Sequence, residues 1–452
     1  MIETLNVGLE PLATQLSAKF NDRQAVVGIM GLGYVGLPLL MAAAQSGFRA
    51  LGFDTDQEKV AQITAGRCYI STVPEKALTN SVLDGRMTAT TSFRRLAECD
   101  VICVCVPTPL TRQREPDLQF VIATAHAIAA TLRKGQMVVL ESTTYPGTTE
   151  DVVKPILEQG GLACGSDFFL GYSPEREDPG NKAFNTGSIP KVVSGDGPEA
   201  CALVRQFYDC LVTETVPVSS IRTAEVVKLT ENIFRSVNIG LVNELKLIYA
   251  AMGIDIWEVI EAAKTKPFGF MPFYPGPGLG GHCIPVDPFY LTWKSREYSL
   301  PTRFIELAGE INSGMPKHVV QQLAHELDVK LSMPLGRAAV LVLGIAYKKN
   351  VNDTRESPAL KIIELLDGRV ADLAFHDPFV SALSITRNHP ELAGMKGIEI
   401  NATSVAAYDA IVVTTDHDSV DYALVQRHAR LIIDTRNAFG SRGLQASNIV
   451  KA

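Results

Sequence analysis

The sequence predicts an α/β protein with two doubly wound parallel-sheet domains, joined by a long central helix and a small helical domain. In the first half of the 452-residue chain, short apolar runs that end in turns alternate with helical segments. The stretch 220–252 contains no proline and a single glycine, which favours one long helix. The strand and helix alternation returns after Ser332. We therefore predict three regions, 1–219, 220–331 and 332–452.

Composition limits the classes of protein to which the chain can belong. Hydrophobic residues make up 46% and charged residues 20%, which is ordinary for a globular protein. The net charge of −7, without a basic block, argues against a nucleic-acid partner or an anionic membrane surface. The first 22 residues resemble neither a signal peptide nor an anchor, and no window is apolar enough for a membrane helix. We expect a cytoplasmic protein.

The eight cysteines follow neither the paired CxxC spacing nor the cysteine and histidine spacing of a zinc site. No metal is therefore expected, and reduced thiols are the default in a chain without an export signal. Cys103 and Cys105 lie two residues apart in an apolar run, on one face of a predicted strand. Core packing is the simplest interpretation of both.

A glycine fingerprint follows the first apolar run. Gly31, Gly33 and Gly36 separate the strand-like segment 25–30 from a helical segment, and a second strand closes on Asp54, 21 residues after Gly33. In this context the first glycine permits a tight turn, the second lets a pyrophosphate approach the backbone, and the third allows close helix packing. Asp54 is placed to bind a ribose hydroxyl and to repel a 2′-phosphate. The pattern predicts a Rossmann-like domain that binds NAD rather than NADP.

Polar residues end three further apolar runs of this region. Thr108 and Thr143 follow two of the predicted strands, and Glu175 and Glu177 follow a third. In a doubly wound sheet, ligands bind at the carboxyl ends of strands, so these side chains are candidate site residues. A threonine in such a place is also a common helix cap, and paired carboxylates are often solvated loop charges. These simpler roles remain open at this point.

Three polar residues recur on one side of the long central helix. Lys228, Asn232 and Arg235 are spaced i, i+4 and i+7, which stacks their side chains along one face. A solvated face would explain them, but their neighbours are apolar on nearly every side. We therefore predict a buried helix whose polar stripe serves a cleft.

The stretch 274–290, YPGPGLGGHCIPVDPFY, is the candidate catalytic loop. Glycines and prolines exclude helix and strand from its first half and let its backbone approach a ligand closely. It leads to Cys283, whose thiolate would be a strong nucleophile towards carbonyl carbon. Asp287, four residues later, is placed to orient or protonate the neighbouring chemistry.

The third region repeats the order of the first but lacks its glycine fingerprint. Its first strand is followed by YKKNVNDTRESP, so we expect Lys348, Lys349 and Arg355 to hold phosphate in place of backbone amides. Its second strand ends at an acid, Asp377, and Arg436 on the last predicted strand is a fourth candidate cation. Charged loop residues of this kind are usually exposed to solvent and bind no ligand, which is the simpler interpretation.

These patterns together resemble the UDP-glucose/GDP-mannose dehydrogenase family over nearly the whole chain. The resemblance implies two Rossmann-like domains, NAD as cofactor, a UDP-sugar as substrate, and a homodimer or higher homo-oligomer formed through the long helix. It is carried by the motifs GLGYVGLPL, VPTPL, ESTTYPGTTE, YSPEREDPGN, ENIFRSVNIGLVNE, GPGLGGHCIPVDPFYLTWK and LGIAYKKNVNDTRESP.

The resemblance also implies a role for individual residues. The implied catalytic residues are Cys283 as nucleophile, Lys228, Asn232, Asp287, Glu175 and Thr143. The implied cofactor ligands are Gly31, Leu32, Gly33, Tyr34, Val35, Gly36, Asp54, Lys59, Thr108, Thr143, Glu177 and Arg355. The implied substrate ligands are Glu175, Lys228, Asn232, Arg235, Tyr274, Gly276, Gly278, Gly280, Lys348 and Arg436.

The sequence departs from the family in two places. The spacing around Glu177 differs from that of the UDP-glucose enzymes, and Pro267 stands where those enzymes carry a sugar-binding arginine. The chain is most similar to bacterial members that oxidise C6 of UDP-N-acetylglucosamine for surface polysaccharide, which makes this the implied substrate. UDP-N-acetylgalactosamine, UDP-N-acetylmannosamine and UDP-glucose remain open. More remote alternatives are a two-electron hydroxyacid dehydrogenase and a non-catalytic NAD-binding protein.

Overall fold

The computed structural model of the chain describes residues 11–70, 73–111, 113–176, 187–281, 283–386 and 388–452. The chain folds into two compact units. Unit 1 contains residues 1–231 together with 289–300, and unit 2 contains residues 232–288 together with 301–452. The division into three regions at 219 and 331 stays a prediction.

Unit 1 is built on an eight-stranded sheet with the order β3-β2-β1-β4-β5-β6-β7-β8. All paired strands are parallel except β6 and β7. The strands are β1 (Val26–Met30), β2 (Arg49–Phe53), β3 (Met87–Thr90), β4 (Val101–Val104), β5 (Met137–Leu140), β6 (Phe169–Tyr172), β7 (Lys191–Gly195) and β8 (Thr215–Pro217). The chain order reverses between β1 and β4, which is where a doubly wound sheet binds its ligand.

Helices cover both faces of this sheet and enclose two apolar clusters. They are α1 (Pro11–Asn21), α2 (Gly36–Gln45), α3 (Gln57–Thr64), α4 (Glu75–Leu83), α5 (Gln119–Ala129), α6 (Lys154–Leu157) and α7 (Pro198–Asp209). Helix α1 belongs to this core, because its Ala13, Leu16 and Phe20 are buried and the Phe20 ring lies 5.7 Å from that of Phe207.

The central segment is helical, as predicted. Its helices are α8 (Ile221–Ala251), α9 (Ile256–Ala263), α10 (Asp287–Ser295) and α11 (Arg303–Leu331). Helix α8 matches the predicted long helix to within one residue at each end. Residues 289–300 return to unit 1, where Tyr290 donates a hydrogen bond to the Thr108 carbonyl at 2.9 Å and the Trp293 ring lies 4.8 Å from that of Tyr145.

Unit 2 contains a five-stranded parallel sheet with the order β10-β9-β11-β12-β13. The strands are β9 (Ala339–Leu343), β10 (Asp372–His376), β11 (Ala410–Val413), β12 (Ile432–Asp434) and β13 (Ile449–Lys451), and the helices that follow α11 are α12 (Pro358–Leu366), α13 (Ala402–Ala406) and α14 (Tyr422–His428). The sheet is buried on both faces. The predicted second doubly wound domain is confirmed.

Three short strands of unit 1 and the last strand of unit 2 were missing from the prediction. Strand β3 is the polar sequence MTAT, β8 and β13 have three residues each, and β7 begins with a buried lysine, Lys191. None of them shows the apolar run or strict alternation on which strand prediction depends. Among the described residues, no helix combines the length and the apolar character that a membrane crossing requires.

Candidate functional site

The glycine turn after β1 has the geometry that its sequence predicts. Gly31 has φ +88°, and a Cβ added there would lie 2.7 Å from the Cys105 carbonyl oxygen. A Cβ at Gly36 would collide with the Gly31 carbonyl oxygen, whereas a Cβ at Gly33 would meet no atom within 4 Å. Residues 34–35 lead into α2. Two glycines therefore shape the turn, and the backbone at Gly33 is open to a ligand.

Asp54 lies directly after β2 and is buried beside this turn. Its carboxylate accepts hydrogen bonds from Leu32 N at 2.9 Å and from Asp56 N at 3.0 Å, and Lys59 Nζ lies 3.5 Å away. Tyr69 donates its hydroxyl proton to the Leu32 carbonyl. A fixed carboxylate, a left-handed glycine and an open glycine form the arrangement that a dinucleotide requires at this sheet edge. The residues present therefore fit NAD.

Three other predicted site residues of unit 1 follow strands of the same sheet. Thr108 follows β4, is buried and offers its carbonyl to Tyr290, while Thr143 follows β5 and is half-buried. Glu175 follows β6 and accepts a hydrogen bond from the backbone N–H of the next residue. Glu177 lies outside the described residues. The carboxyl edge of one parallel sheet thus carries Thr108, Thr143 and Glu175, as predicted.

A buried ion network holds Glu175, and sequence reasoning did not find it. Lys191 Nζ lies 2.6 Å from a Glu141 oxygen and 3.3 Å from a Glu175 oxygen, and the Tyr208 hydroxyl is hydrogen-bonded to Glu141. Burial raises the pKa of Glu141. Burial alone would lower the pKa of Lys191, but the two carboxylates raise it above its usual range, so this lysine is a fixed cation.

A second buried carboxylate, Glu225 of α8, organises the loop that carries Thr143. It accepts hydrogen bonds from Gly147 N at 2.6 Å, from Thr149 N at 3.0 Å and from the Thr149 hydroxyl at 2.8 Å. Burial raises the pKa of Glu225 to about 7. A glutamate on a helix looks like a solvated charge in sequence, so only its apolar neighbours could have indicated this role.

In unit 2, the backbone of the candidate nucleophile is hydrogen-bonded to a residue whose side chain belongs to a buried polar group. The Cys283 carbonyl accepts hydrogen bonds from Val286 N at 3.1 Å and Asp287 N at 2.8 Å, in the turn that opens α10. The Asp287 carboxylate accepts from Asn232 Nδ2 at 2.5 Å, and Arg235 donates to Asn232 Oδ1. Asn232 and Asp287 are buried, while Cys283 is partly accessible. This segment thus contains a partly accessible cysteine and is hydrogen-bonded to an oriented amide.

Lys228 lies one turn before Asn232 on α8 and is also buried. It is counted with unit 1, whereas Asn232 and Cys283 are counted with unit 2. A combined action of Lys228, Thr143 and Glu175 with the cysteine therefore stays a prediction.

The glycine loop of unit 2 is held tightly by the protein itself. A Cβ at Gly276 would lie 2.5 Å from Arg436 Nη1, and a Cβ at Gly280 would lie 2.7 Å from Tyr347 Cβ. Gly278 has φ +135°, where side chains are strained. Gly276 and Gly280 are therefore favoured because Arg436 and Tyr347, as placed here, leave no room for a side chain at these positions. The predicted close approach to a ligand is a second, separate reason.

Tyr274, at the start of this loop, donates a hydrogen bond to Glu261 at 2.9 Å. Its ring stacks on that of Trp257, with 5.7 Å between the centroids and 14° between the planes. The ring of this predicted substrate ligand is therefore fixed by α9.

Carboxylates lie beside Arg355 and Lys349, two of the predicted cations of unit 2. Arg355 makes a bidentate pair with Asp353 at 2.7 to 3.1 Å, and Lys349 lies 3.3 Å from the exposed Asp418. Lys348 is half-buried. Arg436, the fourth predicted cation, donates a hydrogen bond from Nε–H to a backbone carbonyl at 2.9 Å. Its guanidinium lies beside the glycine loop.

One cluster of potential metal ligands occurs among the described residues. Ligand atoms of Glu364, His389 and Glu391 lie within 4.8 Å of one another, and both glutamates are exposed. His389 Nδ1 lies 2.8 Å from a Glu364 oxygen, and exposed acidic groups of this kind are common without a metal.

Three family models match the chain in succession. They describe the NAD binding domain, the central domain and the UDP binding domain of the UDP-glucose/GDP-mannose dehydrogenase family, and they match residues 25–212, 222–314 and 341–441.

Individual relatives cover most of the chain. A UDP-N-acetyl-D-glucosamine 6-dehydrogenase from Pseudomonas aeruginosa is 38% identical over 86% of this chain and 90% of its own length. An NDP-N-acetyl-D-galactosaminuronic acid dehydrogenase from Ralstonia solanacearum is 31% identical over 93% of this chain and 97% of its own. Among solved structures, a UDP-D-ManNAc dehydrogenase from Pyrococcus horikoshii superposes with a TM-score of 0.82 at 32% identity, covering 91% of this chain and 96% of that one.

Proposed function

Because the chain belongs to the UDP-glucose/GDP-mannose dehydrogenase family, whose cofactor is NAD, we propose that it oxidises C6 of UDP-N-acetylglucosamine to the carboxylate. The relative that is 38% identical acts on this sugar. Other relatives of similar coverage act on the mannosamine or galactosaminuronic sugars, so the choice among the acetamido sugars is the finer part of the proposal.

The group formed by Cys283, Asp287 and Asn232 carries this proposal. A two-electron dehydrogenase needs no nucleophilic thiol, and a non-catalytic NAD-binding protein needs no buried amide oriented by a carboxylate. Here the cysteine begins the turn into α10, and the aspartate four residues later orients the asparagine. A cysteine connected through Asp287 to an oriented amide donor is suited to forming a covalent intermediate at a carbonyl carbon.

In the proposed four-electron oxidation, the cofactor and Cys283 have different roles. NAD, when bound, would accept one hydride in each of the two oxidations, so two NAD molecules are used in turn. Cys283 Sγ adds to the carbonyl carbon of the aldehyde and holds C6 as a thiohemiacetal, and later as a thioester. Water then cleaves the thioester, which releases the carboxylate and regenerates the thiol. The aldehyde thus stays bound between the two oxidations.

Polar side chains are proposed to stabilise the negative charge that develops on the C6 oxygen and to transfer protons. The second Nδ2–H of Asn232 and the ammonium of Lys228 are the proposed donors to the oxygen on C6, where negative charge develops. A donor of this kind contributes about 3 kcal/mol to transition-state stabilisation. Glu175 is the proposed acid/base, and its carboxylate is anchored by Lys191.

We further propose a homodimer formed through α8, in the cytoplasm, that serves surface polysaccharide synthesis. Exposed apolar side chains support the dimer: Phe234, Leu241 and Ile248 are 48%, 48% and 43% exposed and recur every seven residues along one side of α8. An apolar stripe of this kind on a helix is typical of a protein interface.

A panel of nucleotide sugars tests the proposed function. The purified protein is supplied with NAD and, separately, with UDP-N-acetylglucosamine, UDP-N-acetylgalactosamine, UDP-N-acetylmannosamine and UDP-glucose, and NADH is counted against sugar consumed. We expect two NADH per sugar and the highest kcat/KM with UDP-N-acetylglucosamine. Weak UDP-glucose turnover is compatible, because an unfilled pocket costs only about 1 to 3 kcal/mol.

Two results would contradict the proposal. One NADH per sugar would indicate a two-electron dehydrogenase, and a kcat/KM for UDP-glucose equal to or above those of the acetamido sugars would exclude the proposed substrate. A higher kcat/KM for the galacto or manno epimer would keep the chemistry and correct the sugar.

A further inference from the structure

A buried ammonium in unit 2 lacks a hydrogen-bond partner within the described part of the chain. Lys246 lies on α8, is 6% exposed, and its Nζ contacts no acceptor there. An uncompensated charge inside a protein costs several kcal/mol, and buried charges are almost always paired. Such a lysine is therefore expected to meet its counter-charge in a ligand.

The surroundings of Lys246 contain a second cation, Arg436. The Arg436 guanidinium lies against Gly276 of the glycine loop, and the N–H of the same glycine donates to Asn243 Oδ1 at 2.9 Å. Asn243 precedes Lys246 by three residues, so both lie on one face of α8. Gly276 thus lies between this helix face and Arg436.

The nearby acid, Asp434, makes no hydrogen bond with Lys246. Asp434 is buried, and its carboxylate accepts hydrogen bonds from three backbone N–H groups, those of Arg436, Ala438 and Phe439, at 3.0 to 3.1 Å. Burial, together with the charge of Arg436, lowers the pKa of Lys246 to about 7, although Asp434 opposes the change. The cation is thus destabilised in the protein alone.

His318 of α11 also interacts electrostatically with the Lys246 ammonium. Burial, and then Lys246, lowers the pKa of His318. A neutral imidazole brings no negative charge to the lysine. The groups facing Lys246 from α11 and from the end of β12 therefore provide no acceptor for its Nζ among the described residues.

We propose that Lys246 and Arg436 form a two-cation site, walled by Gly276, that binds a phosphate of the substrate's nucleoside diphosphate. The proposal rests on the proposed function for the identity of the substrate, but the anion site itself does not. Arg436 is a candidate from the sequence. Lys246 is not, because a lysine on a long helix looks like an ordinary exposed charge.

The test compares three ligands by isothermal titration calorimetry in the full-length protein. UDP carries both nucleoside and diphosphate, uridine carries only the nucleoside, and pyrophosphate carries only the anion. The main variant is Lys246→Met, which keeps the length of the side chain and removes its charge. Lys361→Met removes a positive charge from an exposed ion pair of the same unit and is the matched control.

We expect Lys246→Met to raise the Kd for UDP and for pyrophosphate by about tenfold to a hundredfold, as the loss of a charge-assisted hydrogen bond does. The Kd for uridine, and every Kd of the control, should stay within about twofold. Lys246→Arg, which keeps the charge, should bind UDP within about fivefold of wild type. The thermal midpoint of the ligand-free Lys246→Met protein should be no lower than that of wild type, because no internal contact of Nζ is lost.

Several outcomes would overturn the site. One is unchanged binding of UDP and pyrophosphate by Lys246→Met, or a loss of uridine binding equal to the loss of UDP binding. Another is a wild-type protein that binds neither UDP nor pyrophosphate. A third is a ligand-free Lys246→Met protein that fails to fold, together with a Lys246→Arg protein that folds but does not bind UDP. Failure of the proposed function looks different: a wild type that binds pyrophosphate through Lys246 but oxidises no UDP-sugar would keep the anion site and remove the assigned substrate.

Discussion

At the scale of single residues, the main finding is that both ends of the Asn232 amide are held. Its nitrogen donates to Asp287 and its oxygen accepts from Arg235. Since an amide nitrogen has two protons, the second is the donor that the proposed mechanism assigns to an oxygen of the substrate. Asp287 is therefore best understood as a positioning residue, which keeps the amide from turning its acceptor towards the reaction.

Replacement of Cys283 by serine tests the proposed nucleophile. Cys283→Ser should lower kcat by more than about a thousandfold, because a serine hydroxyl is much harder to ionise than a thiol. Binding of NAD and UDP-sugar, measured by calorimetry, should be kept. Cys201→Ser, which changes a partly buried cysteine of α7, is the matched control and should retain wild-type turnover. A fully active Cys283→Ser enzyme would exclude covalent catalysis at this position.

At the scale of elements, α8 is connected to the loop after β5 by one carboxylate, Glu225. That loop carries Thr143, and its backbone at Gly147 and Thr149 binds the carboxylate directly. The position of a candidate site residue thus depends on a side chain that touches neither cofactor nor substrate in the proposed scheme.

The raised pKa of Glu225 predicts a pH dependence of stability. In the folded protein its pKa is about 7, against 4.5 in the unfolded chain, so the folded state keeps a proton that the unfolded state has released. The contribution of Glu225 to the free energy of unfolding is therefore complete below about pH 4.5 and is lost as the pH rises towards about 7. Over this range the free energy of unfolding falls by on the order of 3 kcal/mol.

Urea unfolding of wild type and Glu225→Gln between about pH 4.5 and 8 measures this contribution. The free energy of unfolding of wild type relative to the variant should fall as the pH rises to about 7 and then stay constant. Glu115→Gln, which removes an exposed carboxyl of the same unit, controls for the loss of one charge. A relative stability that rises with pH would show that the folded protein binds the carboxylate form more strongly than the acid.

Elements with a long apolar pattern were predictable from sequence, and isolated buried charges were not. Helix α8 and the glycine turn at Gly31 follow from periodicity and from backbone geometry. The candidate residues at strand ends were predictable for the same reason. Glu225, Lys191 and Lys246 were not, because burial of a charged side chain depends on which distant segments cover it.

At the scale of the whole molecule, the apolar side of α8 predicts association of two chains. Leu241→Glu places a charge in the middle of the exposed stripe and should convert a dimer of about twice 48.9 kDa into a monomer. Light scattering after size-exclusion chromatography measures the mass. Leu83→Glu, at an exposed leucine of α4, is the control and should leave the dimer intact. A Leu241→Glu dimer as stable as wild type would place the interface elsewhere.

Unit 1 is not continuous along the chain, and this has a consequence for protein synthesis. Its last segment, 289–300, is made only after residues 232–288, which belong to unit 2. At the usual rate of about 5 to 20 residues per second, the ribosome needs on the order of 3 to 10 s for that interval. During this time the ring contact of Tyr145 with Trp293 and the hydrogen bond of Thr108 with Tyr290 cannot form. A gene fragment that stops at residue 231 would lack both contacts permanently.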